Sequence, residues 1–131
     1  MGTALRAWVV CLPLALACDA IWLGVVARGF YRRHLGYLFG NSFVWGAAFA
    51  FYLLHAAGLV YFVVLPGLRH GSLMRLLGSA VFFGLVTYGT YDLTNLATVR
   101  DWPRIVTVVD MLWGAALSTI VAFTGYLAGR S

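Results

Sequence analysis

Four apolar runs, at about residues 5–26, 43–65, 73–99 and 103–128, account for about three quarters of the chain. Each is long enough for a helix to cross the ~30 Å hydrocarbon core of a bilayer, which takes about 20 residues. Backbone N–H and C=O groups in hydrocarbon must be satisfied within the protein, which restricts spanning structures to helices or closed barrels. Runs of this length choose the helix. The expected fold is all-α: an integral membrane four-helix bundle, one transmembrane domain over residues 1–131, with both termini on the same side. Composition agrees. Only 10% of the residues are charged, where a soluble domain carries roughly 25%.

The basic residues sit at the ends of the runs or outside them. All nine basic residues are arginine, and four aspartates leave a net charge of +5. The arginines are scattered at helix ends, which suits anchors facing anionic headgroups rather than a nucleic-acid surface. The expected partner is the lipid bilayer, with a homo-oligomer or a larger membrane complex as a further option, and no nucleic acid. One side carries Arg28, Arg32, Arg33, Arg100 and Arg104; the other carries Arg6, Arg69, Arg75 and Arg130. The small excess places the first and third loops in the cytoplasm. Cysteines introduced at Ser42 and Ser72 test this: Ser72 should react from outside the cell, Ser42 only once it is opened.

Residues 28–41 mix arginines with aromatic rings, as a segment lying in the headgroup layer would. A lipoprotein-type signal ending at Cys18 is disfavoured, because the apolar run continues beyond it. Cys11 and Cys18 lie on one helix, ~10.5 Å apart along its axis, too far for a disulfide. Two thiols make no metal site and only one histidine, His55, falls within a span, so no metal, haem or other cofactor is expected. Pro13 should kink the first span and Pro66-Gly67 should end the second. Gly46, Ala47 and Ala50 on the second span, and Gly114, Ser118, Ala122 and Gly125 on the fourth, form small-residue faces for close helix approach. Asp101 should cap the fourth span, with Pro103 in its first turn.

Three aspartates interrupt the apolar runs. Asp19 lies ~13 Å along its helix from Arg28, Asp92 ~12 Å from Arg100, and Asp110 ~9 Å from Arg104. Three helices thus carry a carboxyl at nearly one level. An aspartate at a helix centre costs about 2.5–3.5 kcal/mol to insert. The acids should therefore face inward and meet polar partners. Tyr88, Asp92 and Asn95 share one face of span three; Thr87, Tyr91, Thr94 and Thr98 form an adjacent stripe. Tyr52 of span two falls at a similar depth, and His55 one turn deeper. The candidate binding or proton-linked set is Asp19, Asp92, Asp110, Tyr88, Tyr91, Thr94, Asn95, Tyr52 and His55. The plainer alternative is a polar network that only sets helix register. His55 alone reads as a satisfied core histidine. Trp22 and Trp113, each three residues after an aspartate, are aromatic lining candidates, although packing is their simpler role.

Asp19-Ala-Ile-Trp-Leu-Gly, Gly29-Phe-Tyr-Arg, Gly89-Thr-Tyr-Asp-Leu-Thr-Asn-Leu-Ala-Thr and Asp110-Met-Leu-Trp-Gly together resemble the bacterial membrane family known as domain of unknown function 2177. The resemblance covers nearly the whole chain. It implies a small four-helix protein of the bacterial inner membrane, with no activity to carry over. From the residues themselves, three functions are open. A small carrier or proton-linked permease would use the acids for proton and cation exchange. A structural or regulatory partner would dock its polar face on a larger complex. An intramembrane lipid-modifying enzyme, or a subunit of one, would use the aspartates as acid and base or to hold a divalent metal. No recognisable catalytic motif supports the last.

Overall fold

The computed structural model describes residues 2–40 and 43–131. Asn41, the end of the first loop, and Ser42, the labelling position, lie outside the described residues. Four helical stretches are long and apolar enough to cross a membrane: Thr3–Val26, Trp45–His70, Leu73–Thr98 and Arg104–Arg130. Among the described residues there is no strand. Span one is α1 (Thr3–Ile21) followed by a π-helical turn, Trp22–Val26. A separate short helix, α2 (Arg28–Leu35), lies between spans one and two. Span two joins α3 (Trp45–Leu59), a second π turn (Val60–Val64) and α4 (Leu65–His70). Spans three and four are single helices, α5 (Leu73–Thr98) and α6 (Arg104–Arg130).

Two helix ends differ from the sequence expectation. Pro66 does not end span two; the helix runs on to His70. Proline removes a hydrogen bond to the carbonyl four residues back and crowds it. The wider π turn immediately before Pro66 accommodates both effects. The stop comes at Gly71, whose φ of 65° is left-handed and whose N–H donates to the Gly67 carbonyl at 2.9 Å. Ser72 then caps α5, its Oγ accepting from the Arg75 N–H at 3.2 Å. Asp101 is not a cap. It holds a φ of 59° in the turn, a conformation that aspartate tolerates better than most residues. Pro103 stands just before α6, and its carbonyl accepts from Val106 and Thr107.

Small residues decide which helices touch. α5 and α6 pack along their lengths as the antiparallel hairpin their short turn requires, and α1 packs on α6. A methyl on Gly84 of α5 would lie 2.3 Å from the Gly114 carbonyl oxygen of α6, so the two backbones meet there. Gly114, Ser118, Ala122 and Gly125 are all buried, and a methyl on Gly125 would strike Cys11 Sγ at 2.5 Å. Span two behaves differently. Its second half enters the core through Ala56, Leu59, Val60, Val63 and Val64. In its first half Gly46, Ala47 and Ala50 are exposed, and a methyl on Gly46 would meet nothing within 4 Å. Among the described residues no helix closes over that small-residue face. At one end of the bundle the Arg6 guanidinium donates to the Gly129 carbonyl, and Gly129 lies against Leu68 and Thr3. At the other end α2 packs on the α5–α6 turn. Tyr31 and Leu35 are buried with Trp102 and Val106, and the Tyr37 hydroxyl donates to the Arg100 and Asp101 carbonyls.

Candidate functional site

α1 and α6 run in opposite directions, and each carries an Asp-x-x-Trp segment. The antiparallel packing makes the two segments reciprocal. Trp113 of α6 donates its indole N–H to Asp19 Oδ1 at 2.7 Å. Trp22 donates to the Tyr31 hydroxyl at 3.2 Å, and Tyr31 donates in turn to Asp110 Oδ1 at 2.8 Å. Each tryptophan thus serves the other segment's acid, one directly and one through a phenol. The two indoles stack with centroids 4.5 Å apart and planes 5° from parallel. The π turn that begins at Trp22 widens α1 where this stack forms. Tyr52 of α3 donates to the second oxygen of Asp19. Among the described residues the donors that reach these two acids are neutral phenols and indoles.

Asp92 has no such donor. It is fully buried, and among the described residues neither carboxyl oxygen has a hydrogen-bond donor in reach. The Thr107 hydroxyl donates at 3.3 Å to the Asp92 backbone carbonyl and accepts from the Trp102 indole, which fixes the backbone and leaves the side chain unserved. The carboxyl of Asp110 is close enough to interact with that of Asp92. Two carboxylates are acceptors only, so this contact is satisfied when an acid proton lies between them.

The remaining candidates divide. Tyr88 is half-buried beside Asp19, its ring fitted against Gly114, where an added methyl would lie 2.3 Å from it. Tyr91 is exposed, with its ring edge-on to Trp102 and Asn95 beside it. Thr94 stands apart from the acids. Its hydroxyl donates to the Thr90 carbonyl, and Thr87, Thr90 and Thr98 likewise bond carbonyls four residues back. Threonine satisfied by its own helix can face lipid, so this stripe needs no other partner. His55 is not the satisfied core histidine expected. It is buried among Phe51, Phe83 and Tyr88, and among the described residues its Nε2 has no partner. Trp22 and Trp113 stand behind the carboxyls as donors and a stacked pair.

Sequence reasoning missed Tyr31. The signal was present: Tyr31 and Leu35 are four apart in an arginine-rich helix and form its buried face. Burial pushes the Tyr31 phenol well above its ordinary value; the Trp22 bond opposes this and the nearby Asp110 carboxyl adds to it. Tyr31 therefore stays a donor throughout the neutral range. Its raised value gives a stability contribution fully present below about pH 10, the unfolded value, and lost as pH rises beyond it. Tyr31→Phe should lower stability by about 1–3 kcal/mol, since Asp110 loses a donor and the Trp22 N–H its acceptor. Thermal unfolding in detergent measures this, with the exposed Tyr37→Phe as the mild comparison.

Because the first half of span two is exposed, the acids open onto cavities. One of about 340 Å³ is lined by Asp19, Asp110, Tyr88, Tyr91, Thr87 and Phe51. A second of about 600 Å³, under α2, shares Asp110 and Tyr91 with it and adds Arg28 and Arg32. A third of about 370 Å³ reaches Asp19 and Tyr52 from beside Phe43 and Phe49. Among the described residues, no three histidine, cysteine or acidic side chains converge as a metal site requires.

Comparison with known proteins gives one family: a model described as a predicted membrane protein, DUF2177, matches residues 4–127. Neither the curated proteins nor the solved structures contain a match.

Proposed function

Starting from a chain that belongs to the DUF2177 family of predicted membrane proteins, we propose that it is a small carrier exchanging protons for an amphipathic organic cation. The observation that carries this reading is the buried, donorless carboxyl of Asp92 beside Asp110, which itself lines two cavities. A proton held between two acids is one that an arriving cation can replace. Ionisable side chains inside a membrane segment mark ion pathways more often than packing. The neutral donors on Asp19 and Asp110 hold these carboxyls in place without cancelling their charge. Tyr91 and Phe51 offer ring faces to a cation in the cavity.

Sealed proteoliposomes with an internal pH dye test the proposal, with tetraphenylphosphonium and ethidium as probes. Cation addition on one side should move protons in the opposite direction and change the internal pH. Neither binding of the probes nor a pH change in tightly sealed vesicles would overturn it. A second reading, a structural partner within a larger membrane complex or a homo-oligomer, draws support from the first half of span two, where Phe49, Leu53 and Leu54 are exposed. Co-purification after mild detergent extraction decides that reading. The inner membrane of a bacterium is the proposed location.

A further inference from the structure

The 600 Å³ cavity under α2 combines charges of both signs, and its volume falls within the ~300–1,000 Å³ usual for small-ligand sites. Arg28 and Arg32, one helical turn apart on α2, face it from the headgroup level. Asp110 and Tyr91 line its inner end, and Leu23 and Phe43 give it an apolar wall. A purely anionic ligand held by the arginines would meet the Asp110 carboxyl. A simple cation drawn to Asp110 through this cavity would have to pass two guanidiniums. A headgroup carrying a phosphate and a primary ammonium two carbons apart satisfies both ends: phosphate on the guanidinium forks, ammonium on the carboxylate and over the Tyr91 ring. Its acyl chains leave along the apolar wall towards the bilayer.

We propose that this cavity is a headgroup site for an aminophospholipid of the phosphatidylethanolamine type. The assignment rests on the reading of Asp110 as the acceptor for a cationic group, and it narrows that cation to a lipid amine.

The experiment places the full-length protein in nanodiscs of equal phosphatidylethanolamine and phosphatidylglycerol. Lipids retained on the released protein are then counted by native mass spectrometry. Wild type should retain phosphatidylethanolamine about tenfold over phosphatidylglycerol, the ratio that one charge-assisted hydrogen bond supplies. The R28Q/R32Q double variant, altered at exposed positions that leave the fold intact, should lose that retention. Asp110→Asn, which keeps the side-chain shape, should bind both lipids equally. Phosphatidylglycerol retained as well as phosphatidylethanolamine by wild type would overturn the proposal, and so would retention unchanged in R28Q/R32Q. The expected lipid pattern in a protein that gives no vesicle pH response would sink the carrier reading and leave the headgroup site standing.

Discussion

Asp92→Asn is expected to leave the protein folded and to abolish proton exchange. The buried Asp92 carboxyl receives no donor and faces the Asp110 carboxyl. Asparagine has the same shape and brings an N–H₂ group that can donate to Asp110 permanently. The exchangeable proton is then replaced by a fixed hydrogen bond. Stability should be unchanged or rise by about 1 kcal/mol, the net value of one such bond. The pH response of vesicles to an added cation should fall to the background of empty liposomes. Asp92→Leu sharpens the comparison. It removes a polar group that had no other partner, and Asp110 keeps its bond from Tyr31. The leucine variant should therefore also fold, and should also be inactive. Melting curves together with the vesicle assay read both effects. A folded Asp92→Asn protein exchanging protons at the wild-type rate would defeat the functional reading. Collapse of both variants would mean that the acid is architectural.

Gly84→Leu should prevent the native bundle from forming. Even a methyl at Gly84 would overlap the Gly114 carbonyl oxygen at 2.3 Å, and the Ala115 Cα lies at 2.7 Å. These are backbone atoms, so no side chain can swing away. The α5–α6 hairpin would have to separate over a full turn. Separation would undo the fit of Tyr88 against Gly114 and move Asp92 away from Asp110. Overpacking a core typically costs about 1–3 kcal/mol, and a clash of backbone with backbone falls at the top of that range or beyond. Gly78 supplies the control. It is exposed on the same helix, and a methyl there meets nothing within 4 Å, so Gly78→Leu should be well tolerated. Size-exclusion profiles and thermal unfolding in detergent should separate the two. Equal behaviour of both variants would show that α5 and α6 do not meet at Gly84.

Residue order alone determines the membrane class, four spans, and an acid on each of three of them. These follow from local quantities: the length of each apolar run, the cost of a carboxyl in hydrocarbon, and the 1.5 Å rise that sets depth along one helix. The family motifs are legible in the same way, and the family model covers residues 4–127. Which side chains meet is not local. The sequence shows two Asp-x-x-Trp segments, but only the antiparallel packing of α1 on α6 makes each tryptophan serve the opposite acid. Tyr31 reaches Asp110 only because α2 folds back on the α5–α6 turn. Thr94 and the exposed half of span two show the converse. Polar and small residues on one helix face do not disclose what lies opposite. A threonine is satisfied by its own backbone, and a small-residue face stays open where no second helix comes close. Helix periodicity sets the face and depth of each group, while the partner and the cavity beside it depend on how helices distant in sequence cross.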